Sequence, residues 1–353
     1  MKTKILSAAF CLPAIIMCAA VAANALEQKS ADPYLGAIVV DADTGQVLFE
    51  DRSDTVAYPA SVLKLMDLLI IQEKMKAGSL KPEEKITITA EVSKIGGSQV
   101  YLKENESFSV EELLYALMIQ SANDAATALA IQVAGGKEGF VALMNQKAKT
   151  LGMKSTIFHS IHGLPPGKGQ EPDVTTARDL VRLARELLKY PDTLKFTSCH
   201  ERGFRDNTFI MRNHNNLLKT FPGCDGMKTG YFRNAGYSIV ATAKRASGRV
   251  IAIVLGSTSK KTRDQKTAEL LSKGMAMLDQ RQALIQAAQP VPTNQAQAQM
   301  EQPKEEEQPK RKNHTALFIV SGILFLAMAA GVYLLFFHPA KNKDIKDDLM
   351  PKH

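Results

Sequence analysis

Ser61 stands three residues before Lys64 in the stretch Tyr58-Pro59-Ala60-Ser61-Val62-Leu63-Lys64, and apolar Leu65, Met66, Leu68, Leu69, Ile70 and Ile71 follow. Pro59 suits the position just ahead of a helix, where its fixed φ and missing N–H cost little. The pattern predicts a helix from near Ala60 to about Lys76, ending at Gly78. Residues at i and i+3 share a helix face, so the Ser61 hydroxyl and the Lys64 amine fall within hydrogen-bond reach. A serine hydroxyl is a poor nucleophile without an adjacent base. A lysine serves as that base only where burial or nearby positive charge lowers its pKa. The helix start can supply backbone N–H groups to a developing oxyanion. Alone, the spacing is weak evidence, and a surface pair is its default reading.

Two further stretches change that weight. Ser121-Ala122-Asn123 follows an apolar helical run from Leu113 to Ile119, and Lys228-Thr229-Gly230 precedes the strand-like run from Tyr237 to Ala243. Ser-x-x-Lys, Ser-x-Asn and Lys-Thr-Gly, in that order, form the set shared by penicillin-binding proteins and serine β-lactamases. Gly96-Gly97-Ser98, Ser121-Ala122-Asn123-Asp124-Ala125-Ala126, Thr175-Thr176-Ala177-Arg178-Asp179-Leu180 and the run from Pro222 to Tyr231 extend the likeness. From about Tyr34 to about Leu278 the chain resembles the low-molecular-mass D-alanyl-D-alanine carboxypeptidases, the serine peptidases of family S11 that act in bacterial cell-wall maturation.

The resemblance implies an α/β fold of the α+β kind. N-terminal and C-terminal strands share one antiparallel sheet flanked by helices, and a mainly helical region is inserted between them. The active site lies between the two. It implies acyl transfer from a peptidoglycan stem peptide ending in D-Ala-D-Ala, with Ser61 as nucleophile and Lys64 as its base. Ser121 would relay a proton to the leaving amine, and Asn123 would orient the substrate amide and bond Lys64. Lys228 and Thr229 would face the substrate carboxylate, and Lys228 would help keep Lys64 neutral. Gly230 would let substrate backbone approach. By resemblance the amides of Ser61 and Tyr231 form the oxyanion hole. Arg263 is a further candidate for the carboxylate, and a solvated helix residue is its equally weighted alternative. β-Lactams are the implied covalent inhibitors. No cofactor, metal or nucleic-acid partner is expected.

Rival readings use the same residues. A class A β-lactamase deacylates through a glutamate. Glu171 is near the expected place, but Pro172-Asp173-Val174 follows it, and the Leu-Asn pair of those enzymes is missing there. A D,D-endopeptidase acting on cross-links and a non-catalytic wall-binding module also stay open. His159 and His162 are read as loop histidines, because no third ligand is evident nearby.

The remaining chain is read from periodicity and turn signals. Tyr34–Val40 and Gln46–Glu50 form a hairpin about Asp43-Thr44-Gly45, and Lys85–Thr89 is a short strand. A helix within 107–119 starts at Ser109, with Glu112 completing a capping box. Further helices span about Asp124–Val133 and Gly139–Lys149, and one capped by Thr175 or Thr176 runs to Lys189. Phe196–His200 with Thr208–Arg212 reads as a hairpin, Met227–Phe232, Ser238–Lys244 and Val250–Gly256 as strands, and Thr262–Leu278 as a closing helix.

Residues 1–25 read as a signal peptide, with Lys2 and Lys4, an apolar stretch and the cleavage triplet Ala23-Asn24-Ala25. Residues 26–280 form the enzymatic domain. Residues 281–315, rich in Gln, Pro and Glu, read as a disordered linker. Residues 316–337 carry no charge and are long enough for a transmembrane helix, with 338–353 as a cytoplasmic tail. Export argues against a nucleic-acid partner despite the net charge of +8. After signal cleavage Cys199 and Cys224 are the remaining cysteines, and a disulfide between them is one of two options beside free thiols.

Overall fold

A computed structural model describes residues 33–288. The signal peptide, the transmembrane span and the tail expected from sequence lie outside the described residues. Among the described residues no helix is long and apolar enough to cross a membrane.

One antiparallel sheet of five strands carries the chain ends of the domain. It comprises β1 (Gly36–Asp41), β2 (Val47–Asp51), β7 (Cys224–Phe232), β8 (Gly236–Arg245) and β9 (Gly248–Ser257) in the order β2-β1-β9-β8-β7. The first strand therefore pairs with the last, Gly36 opposite Leu255 and Asp41 opposite Val250. Everything from residue 52 to 223 is inserted between them. Successive side chains on a strand point to opposite faces, and here both faces are covered, so β8 and β9 read as continuous apolar runs. Ile239, Ala241, Val250, Ala252 and Val254 meet Leu270, Leu271, Met275 and Leu278 of the closing helix α8 (Lys260–Ala288). Val240, Ile251, Ile253 and Leu255 face the other way, into the core built on α1 (Lys64–Lys76).

Helix α1 is the centre of the inserted region. Lys64 to Gln72 are buried without interruption, and a helix apolar on all sides belongs inside a core. Around it pack α3 (Asn123–Ala134), α4 (Lys137–Thr150) and α5 (Ala177–Leu187). Thr176 is the residue that caps α5, accepting from the Asp179 amide at 3.1 Å.

Several elements differ from their sequence reading. The stretch 107–119 divides, because β4 (Ser107–Ser109) pairs with β3 (Lys85–Thr87). Helix α2 (Val110–Tyr115) follows, with the Ser109–Glu112 capping box in place. The chain then widens into a π-turn over Ala116–Gln120. Phe196 and Thr197, read as strand, end a helix, α6 (Asp192–Thr197). Pro191 opens it and Phe196 points into the core, so helix-start chemistry outweighs the strand preference of Phe and Thr. The hairpin is β5 (Glu201–Phe204) with β6 (Phe209–Arg212). A short helix α7 (Leu217–Thr220) precedes β7. Helix α8 runs on through residues 281–288, read from sequence as the start of the linker. Its extension is tied down by an ion pair of 2.6 Å between Arg281 and the buried Asp41. Cys199 and Cys224 are free thiols, each directed at a backbone carbonyl, Glu201 and Gly226, at 3.5 Å.

Candidate functional site

The turn that carries Ser61 is a single 3₁₀ turn, Ala60–Leu63, that leads directly into α1. Ala60 has φ of +45°, a conformation that costs a non-glycine residue about 1 kcal/mol or more. This local strain presents Ser61 to the cleft while Ala60, Val62 and Leu63 stay buried. Lys64 is 0% exposed. Its ammonium nitrogen lies 3.0 Å from Ser61 Oγ, 2.8 Å from Asn123 Oδ1 and 2.8 Å from the His162 carbonyl.

These partners fix where the lysine protons go. Asn123 Oδ1 and the His162 carbonyl are acceptors, so they take two N–H groups. The third direction points at Ser61 Oγ. In the neutral amine that direction holds the lone pair, so the Ser61 hydroxyl donates into it. Burial pulls the Lys64 pKa down to about 8, while Asp67, Asp124 and Asp173 oppose the shift. Burial, rather than Lys228, is thus the main force toward the neutral amine. Repulsion from Lys64 is felt instead at Lys228, whose pKa burial, then Lys64 and Arg263, hold well below the ordinary lysine value.

Ser121 and Asn123 come from the junction of two helices. Ser121 closes the π-turn with φ of +61°, and Asn123 is the first residue of α3. Both residues are buried at this junction. Neither caps α3, whose N-cap is Ala122. Asn123 Nδ2 donates to the Gly96 carbonyl at 2.8 Å, so its amide is held at both ends. A Cβ on Gly97, which has φ of +83°, would come 2.5 Å from that amide nitrogen. Ser121 is 3% exposed and its hydroxyl has no hydrogen-bond partner within the protein.

Strand β7 is the sheet edge that forms the opposite wall. A Cβ on Gly230 would lie 2.7 Å from the Pro59 carbonyl and 2.9 Å from the Ser61 amide. Only a glycine allows the strand this close to the turn. The residue after Gly230 is Tyr231, so the two amides expected to form the oxyanion hole come from adjoining segments. Lys228 and Thr229 are 2% and 5% exposed, and Lys228 Nζ donates to the Thr229 carbonyl at 2.9 Å.

A family model for D-alanyl-D-alanine carboxypeptidases, Peptidase S11, matches residues 21–259. The chain belongs to this D-alanyl-D-alanine carboxypeptidase family. It is 39% identical over 238 residues to the D-alanyl-D-alanine carboxypeptidase DacF of Bacillus subtilis, covering 67% of this chain and 60% of that protein. To DacC of Escherichia coli it is 35% identical over 269 residues, 73% of this chain and 66% of the relative. The chain thus spans about two thirds or less of these relatives' lengths. Among solved structures, D-alanyl-D-alanine carboxypeptidase DacD from Francisella tularensis matches with a TM-score of 0.64 and 30% identity, covering 72% of this chain and 75% of that one. Penicillin-binding protein D2 from Listeria monocytogenes, in its ampicillin-bound form, matches with a TM-score of 0.63 and 32% identity, over 70% of this chain and all of that one.

Of the residues expected from the motifs, Lys64 binds Ser61 and Asn123, Gly230 abuts the Ser61 turn, and Lys228 feels the Lys64 charge. Arg263 departs from its solvated alternative: it is 3% exposed and its guanidinium binds Asp264 at 2.6 and 2.8 Å. Three contributors had no motif to mark them. His162 works through its backbone carbonyl, which any residue would offer, so the sequence carries no sign of it. Burial, then Lys64 and Lys137, pull the pKa of its ring to about 4. Burial, then Lys228, Lys260, Arg263 and Lys64, bring His214 to about 4 as well, so it faces these cations without charge. The third is Asp67, whose position three residues after Lys64 was the available signal.

Proposed function

We propose that this chain is a serine-type D-Ala-D-Ala carboxypeptidase that removes the terminal D-alanine from peptidoglycan stem peptides. The observation that carries the reading is the Lys64 nitrogen 3.0 Å from Ser61 Oγ with its other two directions occupied by fixed acceptors. The Ser61 hydroxyl gives its proton to the Lys64 lone pair as Oγ attacks the carbonyl between the two D-alanines. The oxyanion so formed is met by the amides of Ser61 and Tyr231. The proton passes from Lys64 through the Ser121 hydroxyl to the leaving nitrogen, the C–N bond breaks, and free D-alanine departs. Water then hydrolyses the Ser61 ester by the reverse proton path. Asn123 orients the substrate amide.

Lys228 and Thr229 bind the terminal carboxylate. The carboxylate supplies the counter-charge that the buried Lys228 lacks, so binding favours its ammonium form. β-Lactams acylate the same serine, a reading supported by the ampicillin-bound Listeria relative. We place the working domain outside the cytoplasmic membrane, held there by the apolar segment 316–337. The signal-like residues 1–25 support this placement.

The test is incubation of the protein with purified muropeptides, followed by mass analysis. Loss of one alanine by the wild type and none by Ser61→Ala is the expected outcome. Cleavage of cross-links without loss of a terminal alanine would give the site to an endopeptidase instead.

A further inference from the structure

One buried ionisable group near the reacting pair has no part in the chemistry above. Asp67 lies on α1 three residues after Lys64, is 2% exposed, and neither of its carboxyl oxygens has a hydrogen-bond partner. The neighbouring buried carboxylates are all provided for. Asp124 accepts from the amides of Val100, Leu102 and Ala125. Asp173 accepts from the amides of His159 and Ser160 and from the Ser160 hydroxyl. A carboxyl group stripped of water and of donors is costly to bury. Leu65, Met66, Leu68 and Leu69 beside it avoid that cost. Packing alone therefore gives no reason for an aspartate at this position.

The charges around the pair supply one. Burial drives the Asp67 carboxyl well above the ordinary carboxylate range and Asp173 adds to that, while Lys64 is the cation that pulls it back. Lys64 in turn faces Asp67 on its own helix, Asp124 on α3 and Asp173 ahead of α5, all favouring the ammonium form, with Asp67 the strongest of the three. From β7, Lys228 is the group that feels Lys64 as a like charge. His162 and His214 face Lys64 as neutral rings. Asp124 and Asp173 already serve backbone amides, and Asp67 has no other partner.

We infer that Asp67 is a positioning residue whose carboxylate is the counter-charge for the Lys64 ammonium formed when Ser61 gives up its proton. The inference rests on the Ser61–Lys64 reading above. No proton passes through Asp67: it moves from Ser61 Oγ to Lys64 Nζ and on to the leaving group. A wholly buried amine without a nearby anion is a weak base, and a serine proton is hard to take. Asp67 gives back part of the proton affinity that burial removes. The unsatisfied carboxyl is stability given up for function.

The experiment is the rate of acylation by a fluorescent penicillin as a function of pH, with full-length wild type, Asp67→Asn and Asp67→Glu. Removing the anion lowers the proton affinity of Lys64. The acid limb of the Asp67→Asn profile therefore moves down by about one pH unit or more, and its plateau rate falls roughly tenfold. Asp67→Glu, which keeps the charge, returns the limb toward the wild-type position. An unshifted limb in folded Asp67→Asn overturns the inference, as does an equal shift in Asp67→Glu, which assigns the change to packing. Where Asp67→Asn does not fold, the Asp67 carboxyl carbon of the wild type is followed by NMR over the same pH range. An ionised carboxyl at the pH of fastest acylation supports the inference, and a protonated one overturns it. Wild type that is not acylated at Ser61 at any pH overturns the reading of the site itself, a separate result.

Discussion

Gly230 and Ser61 are held in contact across the cleft: a methyl group on Gly230 would stand 2.9 Å from the Ser61 amide nitrogen. The sheet edge and the nucleophile turn are therefore one mechanical unit. Gly230→Ala forces them apart, and overpacking of this kind costs about 1–3 kcal/mol. Acylation by fluorescent penicillin should fall by more than thermal stability does, because the displaced atoms include an expected oxyanion donor. A Gly230→Ala protein that is fully stable and fully reactive would show that the contact is slack.

Acylation should depend on pH through Lys64. The base is the free amine, and burial sets its pKa at about 8. The rate should climb with pH, about tenfold per unit below that value, and level off above it. The profile is read from penicillin labelling on the minute scale over pH 5–10, a range of about two to three units each side of the pKa. A profile flat from weak acid to weak alkali would remove Lys64 as the titrating base.

Asp124 holds the loop that brackets Asn123. Its carboxylate accepts the amides of Val100 and Leu102 at 3.2 and 3.0 Å, and Asn123 binds the Gly96 carbonyl at the start of the same loop. Asp124→Ala leaves those buried amides unpaired and should cost about 2–3 kcal/mol in denaturant unfolding. Acylation should drop with it, since Asn123 then loses one of its two anchors. Unchanged acylation would mean that Lys64 and its other partners hold Asn123 unaided.

The outer end of α8 should loosen in acid. Burial raises the pKa of Asp41, but the bond to Arg281 and the amides of Thr44 and Asp43 outweigh it, so the net shift is downward. A depressed carboxylate adds stability that is present above its unfolded pKa, about 3.9, and is lost as pH falls through the folded value. Arg281→Ala removes that gain. Arg281 is half in solvent, so the loss at neutral pH should be only about 1 kcal/mol. Amide exchange along residues 279–288 is the measurement, and equal protection in both proteins would sink the idea.

The β-lactam adduct should outlive the peptide acyl-enzyme by orders of magnitude. With peptide, the leaving D-alanine diffuses away and admits water. With a β-lactam, the opened ring stays attached and obstructs it. Glu171, the residue nearest in sequence to a lactamase glutamate, is exposed, and Asp124 and Asp173 are bound to amides. Each tenfold difference in lifetime is about 1.4 kcal/mol in the deacylation barrier. Intact-protein mass spectrometry after a penicillin pulse checks it. An adduct lost as fast as peptide turns over would favour the β-lactamase reading.

What the sequence determined by itself was local or periodic. The Ser61–Lys64 face, the Ser109–Glu112 box and the cap of α5 follow from spacings of three residues, which the backbone enforces without help, and the strands β8 and β9 from continuous apolar runs. The bond from Lys64 to Asn123 expected from the ordered motifs is present, and Lys228 to Gly230 lie mid-strand in β7. What tertiary structure decided was everything that depends on water being absent. Burial from all sides is what turns Lys64 from an ordinary ammonium into a base, and no motif encodes it. The same removal of water makes Arg263 an interior residue, makes Asp67 a lone buried carboxyl, and commits the His162 carbonyl to Lys64. The helical end of α8 was hidden for a related reason: residues 281–288 have a linker-like composition, and Arg281 finds its partner in Asp41 on a strand 240 residues away in sequence.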